Sequence, residues 1–268
     1  KVNQLTVSRD MVYDLERIRY QFDTVKPDFV IVSHASNVFG LIAPVEDIFA
    51  LAKKYDAITL VDMAQTAGLV DLNVGLTTID FAVFAGHKTL YGPTGISGFV
   101  MNPAVKFPAV IFGGTGYESA NQDMPEDLPQ KYEVGTLNIA GIAGLNAALG
   151  WSAQITVDAI REKEAENRKR LIDLLGRYSY IKIIGNYDSC NYVGIVSCII
   201  EGISSDSAGP VFDRCGIAVR TGLQCAPLAH QFMGTFPAGT IRFSVNYFTT
   251  DKDFEELEEA LNYIDSEL

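Results

Sequence analysis

The stretch Phe81 to Met101, FAVFAGHKTLYGPTGISGFVM, decides how the rest of the chain is read. The apolar run Phe81-Ala82-Val83-Phe84 is short enough to be a buried strand. It breaks at Gly86 and presents His87, Lys88 and Thr89 together, where a strand feeds a loop. The turn signal Gly92-Pro93-Thr94-Gly95 follows, and then a second apolar run from Ile96 to Met101. A lysine at the mouth of a buried strand is placed to lose solvation, which frees its amine for Schiff-base chemistry. A solvated surface lysine fits the same position.

Upstream, the same pattern repeats. Ser8 is placed to cap a helix over 9–22, with Met11, Leu15 and Ile18 on one apolar face. Phe29-Val30-Ile31-Val32 reads as a strand ending at Ser33-His34-Ala35-Ser36-Asn37. A helix from Pro44 to Tyr55 and a strand over 57–61 follow, the latter ending at Asp62. Strand, helix, strand, short helix, strand implies a mainly parallel sheet covered on both faces, an α/β fold. Ligands in such sheets bind outside the carboxyl ends of the strands. Asn37, Asp62, Gln65, His87 and Lys88 all fall at or just past such ends.

Beyond Met101 the character changes. Residues 102–136 read as irregular, and a loop of that length inside a compact domain is functional or a contact surface. The small-residue-rich 136–150 predicts a tightly packed helix. Next comes a charged helix over 157–178 whose REKEAENRKR run reads as a solvated face. Strands over 181–184, 193–200, 217–220 and 240–245, with helices over 207–215 and 251–268, describe a smaller α+β domain. The expected division is 1–148 and 149–268.

Composition narrows the function. The chain has 268 residues, enough for a sizeable core, and a net charge of −12, which argues against nucleic acid as a partner. No apolar run reaches membrane-spanning length, so no membrane partner is expected. Cys190, Cys198, Cys215 and Cys225 show neither CxxC spacing nor the density of a disulfide framework. A reducing, cytoplasmic setting is expected, and no metal site.

Asp62 and Lys88 on neighbouring strand ends match what pyridoxal 5'-phosphate (PLP) needs. The lysine forms a Schiff base with the aldehyde, and the carboxylate keeps the pyridine nitrogen protonated so that the ring accepts electrons. Gln65, one turn beyond Asp62, is placed to reach the ring's phenolate oxygen. Taken alone, Asp62 suits a helix N-cap, Gln65 a surface amide and His87 a hydrogen-bonded loop histidine equally well.

Ser33-His34-Ala35-Ser36-Asn37, Val61-Asp62-Met63-Ala64-Gln65 and Gly86-His87-Lys88 with Tyr91-Gly92-Pro93-Thr94-Gly95 resemble successive motifs of the class-V aminotransferase-like enzymes. Glu133-Val134-Gly135-Thr136-Leu137-Asn138 is similar to that family's E-x-G-T-x-N segment, and Gly239 to Ser244 to its R-x-S strand. Arg220-Thr221-Gly222-Leu223-Gln224-Cys225-Ala226 resembles the cysteine-bearing loop of cysteine desulfurases and selenocysteine lyases. Each motif alone is weak; six in order are strong.

The resemblance implies the fold type I, aspartate aminotransferase-like architecture of PLP-dependent transferases. It implies Lys88 as the Schiff-base lysine, Asp62 as partner of the pyridine nitrogen, and Gln65 and Asn37 at the ring oxygen or substrate. His87 lies near the phosphate, and Thr136 reaches the phosphate of the other subunit's site in a homodimer with shared active sites. Arg242, with Arg220 beside it, takes the α-carboxylate of a cysteine or selenocysteine substrate. Cys225 is the nucleophile, made persulfide for a sulfur-acceptor protein, with L-alanine as co-product. The inert-thiol reading of Cys225 and the surface ion-pair reading of Arg242 are the bland alternatives. A C–S lyase, aminotransferase or epimerase keeps the cofactor and drops the thiol, and a non-catalytic dimerisation or docking module drops both. The pattern departs from the family at Ala85, where a phosphate-binding Ser is usual. The resemblance also covers only the carboxyl-terminal two-thirds, without the phosphate-binding Gly/Thr turn and stacking ring, so this chain is not expected to be active by itself.

Overall fold

The computed structural model describes residues 1–5, 7–118, 120–185 and 191–267. Its first half is built on α1 (Leu15–Val25), β1 (Phe29–Ser33), α2 (Val45–Ala52), β2 (Ile58–Asp62), β3 (Phe81–Ala85) and β4 (Ser97–Met101). The strands lie in the order β1-β2-β3-β4, with β1, β2 and β3 parallel and β4 antiparallel to β3. Register places Ser33 opposite Asp62 and Asp62 opposite Val83, so the carboxyl ends of three strands line up.

Alternation along β1 turns Val30 and Val32 inward and Phe29 and Ile31 outward. The inward face packs on Ile18, Phe22, Ile48 and Phe49 of α1 and α2. The expectation of a sheet covered on both faces is not met. Ile31 is 61% exposed and Phe99 46%, on the face that Ile58, Leu60 and Asp62 share by register. A continuous apolar run predicts two covered faces, but among the described residues the outer face is left exposed.

The first helix starts later than expected. Ser8 closes a turn instead, accepting from Val12 N and Met11 N, and Met11 takes φ 59°. Asp14 caps α1 through Arg17 N.

The second half holds α3 (Ile139–Ile155), α4 (Val157–Leu175), β5 (Ile181–Ile184), β6 (Ile195–Ile200), α5 (Ser205–Arg214), β7 (Arg220–Gly222), α6 (Pro227–Met233), β8 (Thr240–Ser244) and α7 (Asp251–Glu267). Its antiparallel sheet runs β5-β6-β8-β7 over a core from α4, α5 and α7. The expected division at 148/149 falls inside the continuous helix α3. The strand expected at 217–220 is found at 220–222, where pairing with β8 starts at Arg220 opposite Arg242. Helix α3 is not tightly packed: Gly144 and Leu145 lie against the 86–93 loop, but Ile139 is 67% exposed and Ile142 and Leu149 are exposed too.

The charged run on α4 is also not wholly solvated. Glu164, Asn167 and Arg168 are buried at the junction of the two halves. Glu164 accepts from Gly194 N at 2.6 Å, Asn167 donates to the carbonyls of Asn246 and Thr249, and Arg168 stacks over Tyr192 at 4.5 Å. Charge composition marks a helix as surface; which three residues turn inward depends on the partner surface, which periodicity does not show.

Two buried groups at this junction titrate in opposite senses. Burial raises Glu164 to about 7. Burial, helped by Arg161, lowers His34 to about 4, where the ring bonds Thr66 Oγ1 at 2.9 Å. A raised carboxyl holds its proton in the folded state after the unfolded chain has released it, so stability falls as pH rises from the ordinary Glu value to about 7. A lowered imidazole does the reverse, so stability rises from about 4 to the ordinary His value. The two slopes oppose each other over most of their range.

Replacing Glu164 by Gln keeps the acceptor for Gly194 and removes one slope. Denaturant melts of Glu164→Gln should show stability climbing by on the order of 2–3 kcal/mol between mildly acidic and neutral pH, where the parent is nearly flat. A Cβ at Gly194 would sit 2.3 Å from the Val245 carbonyl and 2.7 Å from Glu164 Cγ. Gly194→Ala should therefore cost roughly 2–3 kcal/mol in the same measurement.

Candidate active site

Two groups of expected residues come together in different ways. The first sits at the carboxyl edge of the parallel strands. Asp62 ends β2 and spends one oxygen on Ala64 N at 2.9 Å, opening the turn that carries Gln65. Both side chains are half-buried. Lys88 and His87 follow β3 on a loop whose base is closed by Gly86 N to Ile96 O and Gly92 N to Gly86 O. A Cβ at Gly92 would lie 2.8 Å from the Gly86 carbonyl, and one at Gly86 2.7 Å from Ile96 Cγ2 and 3.0 Å from the Ile96 carbonyl, so both positions favour glycine. Tyr91 anchors the loop by packing edge-on against Trp151 of α3 and Phe248 beyond β8, at 5.3 and 5.4 Å between ring centres.

Lys88 is exposed, against the expectation of lost solvation, and makes no side-chain hydrogen bond or ion pair among the described residues. The apolar face of the sheet from which Asp62 projects is open, so among the described residues none dries the strand ends. His87 is exposed as well, and Ala85 ends its strand with no hydroxyl. Thr136 is exposed, and its segment is tied to the 92–95 turn through Asn138 Nδ2 to Gly95 O at 3.0 Å.

The second group is held by hydrogen bonds across the junction. Arg242 Nη1 donates to the Asn37 carbonyl at 2.8 Å, and Asn37 Nδ2 donates to the Gln224 carbonyl at 2.7 Å. The loop carrying Asn37 is itself fixed: Val193 N reaches Gly40 O, and Ser197 Oγ reaches Val38 O. Arg242 faces Arg220 across the β7–β8 pair and lies within the field of Cys225. Burial first, then Arg220, hold its guanidinium below the usual range, with Cys225 opposing them. Its Nε is buried and has no partner among the described residues. A half-buried guanidinium with an idle N–H beside a second guanidinium is a ready donor site for a carboxylate.

Cys225 itself is exposed. It follows Gly222 at φ 87° and Gln224 at φ 43°, and is itself at φ 61°. Two consecutive left-handed non-glycine residues cost roughly 1–3 kcal/mol each and persist only where the surroundings over-determine them. Here Gln224 is buried, and its amide bonds the carbonyls of Arg220 and Thr240 and the ring of His230. Sequence reading passed over Gln224 and His230, because a buried polar pair has no periodic signature. The other thiols differ as expected only in part. Cys198 is buried and pushed up to about 12 by burial, Cys215 is half-exposed, and Cys190 lies outside the described residues.

An acid, an amide, an imidazole and an amine at adjacent strand ends, with an unsatisfied guanidinium N–H across the junction, are the donor set PLP and an amino-acid carboxylate require. The residues present fit that group.

The family model for class-V aminotransferases matches residues 1–257. A probable cysteine desulfurase from Methanothermobacter thermautotrophicus is 32% identical over 241 residues, 88% of this chain and 60% of that protein. The apo structure of a cysteine desulfurase from Thermococcus onnurineus superposes with a TM-score of 0.84 at 26% identity, covering 100% of this chain and 67% of the other. The cysteine desulfurase CsdA from Escherichia coli shares the fold, with a TM-score of 0.85 at 23% identity over 99% of this chain and 66% of that one. The chain thus spans about 60% of the length of the curated relative. Strand order, strand-end residues and family match agree: this chain belongs to the class-V aminotransferase family, whose members are PLP-dependent.

Proposed function

We propose that the protein to which this chain contributes is a PLP-dependent cysteine desulfurase, taking sulfur from L-cysteine onto Cys225 and releasing L-alanine. The observation that carries the reading is the exposed Cys225 thiol on a strained turn beside Arg220 and Arg242. An aminotransferase or epimerase has no use for such a thiol.

PLP, when bound, supplies an electron sink for the substrate Cα. Asp62 keeps a proton on the pyridine nitrogen, and Gln65 and His87 serve as donors to the ring oxygen and phosphate. Lys88 anchors the cofactor and then, as a free amine, moves the Cα proton. Arg242, with Arg220 at its side, binds the substrate carboxylate bidentately, and Asn37 orients the substrate. The Cys225 thiolate attacks the substrate sulfur: an Sγ–S bond forms as the Cβ–S bond breaks. The electron pair stays on the substrate side and is finally protonated at Cβ to give alanine. The persulfide then passes to an acceptor thiol.

In this reading residues 1–148 carry the cofactor and 149–268 carry the thiol and the carboxylate clamp. The exposed apolar Leu137, Ile139 and Ile142 beside Thr136 support a homodimer in which Thr136 serves the other subunit's phosphate. Free Cys198 and Cys215 support a reducing compartment such as the cytoplasm.

With PLP added, borohydride should fix the cofactor to the Lys88 peptide and to none in Lys88→Ala, read by mass spectrometry. In the full-length protein supplied with PLP and cysteine, Cys225→Ala should form alanine at least about 100-fold more slowly and carry no persulfide. Alanine and persulfide at the parent rate in that variant would overturn the assignment. Arg242→Lys, which loses the planar fork, should raise KM for cysteine about tenfold or more while cofactor fixation is unchanged.

A further inference from the structure

Behind the Cys225 turn runs a buried polar chain that no step of the reaction uses. Gln224 Nε2 donates to the carbonyls of Arg220 at 3.2 Å and Thr240 at 3.1 Å. Both are acceptors only, which turns Gln224 Oε1 toward His230 Nε2 at 3.0 Å and Thr240 Oγ1 at 3.3 Å. His230 Nε2 must therefore carry a hydrogen. Burial lowers the pKa of this ring, opposed by the Leu223 backbone, and its Nδ1 lies 2.8 Å from Thr235 Oγ1. His230 is fully buried and Gln224 5% exposed, so no water competes with the chain. Its polarity is fixed from His230 Nε2 through the Gln224 amide to the backbone of β7 and β8. Its last link fastens the residue before Cys225 to the residue that bears the Arg220 guanidinium and to the strand that bears Arg242.

We infer that Gln224 and His230 are positioning residues that hold the Cys225 thiol against the paired guanidiniums of Arg220 and Arg242. The functional weight of the inference rests on Cys225 being the sulfur-accepting nucleophile. The amide supplies what the two left-handed residues need in order to persist: it is hydrogen-bonded to both strands flanking the turn, while the Gln224 carbonyl takes Asn37 Nδ2 from the other half. A turn so fixed points one side chain in one direction, and here that side chain is the thiol.

The test is a ratio of rates that needs no turnover. In the purified chain, Cys225 is alkylated by iodoacetate, an anion, and by iodoacetamide, its neutral counterpart, and the labelled peptide is quantified by mass spectrometry. Both reagents consume the same thiolate, so their ratio cancels ionisation and exposure and reports the local field alone. Relative to a small free thiol, the parent ratio should favour iodoacetate about tenfold. His230→Leu and Gln224→Ala should bring it back to the free-thiol value. His230→Gln, which keeps an N–H for Gln224 Oε1, should restore most of it. A ratio unchanged in His230→Leu while the melting temperature falls would make His230 a packing residue and overturn the inference. So would an unchanged ratio in Gln224→Ala, which leaves the histidine in place and serves if His230→Leu does not fold. A parent chain without anion preference would overturn it as well. A full-length protein that shows the preference yet forms no alanine from cysteine with PLP would overturn the desulfurase reading and leave the positioning of Cys225 standing.

Discussion

The close approach of the loop 37–42 to the segment 193–197, which leads into β6, is the constraint on which the rest of the structure depends. Gly40 takes φ 75°, and a Cβ there would lie 2.9 Å from the Ile195 carbonyl and 3.0 Å from that of Val193. Only glycine allows the two backbones to touch and exchange hydrogen bonds. That contact brings Asn37, from the parallel sheet, under Arg242 and Gln224, from the antiparallel one. Without it the two sheets would each be sound and the site between them would not exist. The buried Glu164 and Arg168 of α4 also hold the 193–197 segment, at Gly194 and at Tyr192 beside it. Polar and charged groups are costly to bury unless partnered, and Glu164, Asn167 and Arg168 each have a partner within the second half: Gly194, the carbonyls of Asn246 and Thr249, and the Tyr192 ring.

The site is polar where the halves meet and bare where the sheet ends. Arg242 and Cys225 are tightly specified by hydrogen bonds and backbone strain. Lys88 and His87 are specified only by their loop, which glycines shape and Tyr91 anchors among aromatic rings. Side chains of the first kind are pre-organised before any ligand arrives. Those of the second kind take their final positions from what they bind, as an exposed amine must.

Much of this was legible in the sequence because it depends on local rules. Apolar runs ending in Asn37, Asp62 and Lys88 mark strand ends whatever the tertiary context, and the parallel order of the first three strands follows from their alternation with helices. What was not legible depends on distant partners. The start of α1 moved because Ser8 satisfied a turn before it could cap a helix, a competition between two local bonds that the same residue can make. The burial of Glu164 needed knowledge of Gly194, thirty residues away. The Gln224–His230 chain escaped because each of its members, seen singly, is an ordinary polar residue. The exposure of α3 escaped because sequence shows which residues are apolar but not whether a surface exists to cover them, and for the same reason sequence left both the solvated and the desolvated readings of Lys88 open.

The open face of the parallel sheet has a thermodynamic consequence. Phe29, Ile31 and Phe99 stand in water on a surface that register makes continuous. Whatever polypeptide lies on that face removes hydrated apolar area, and such burial carries a negative heat-capacity change. Association there grows more exothermic as temperature rises, with a slope that scales with the area covered. Calorimetry over a range of temperatures thus measures the footprint of a covering layer without knowledge of its identity.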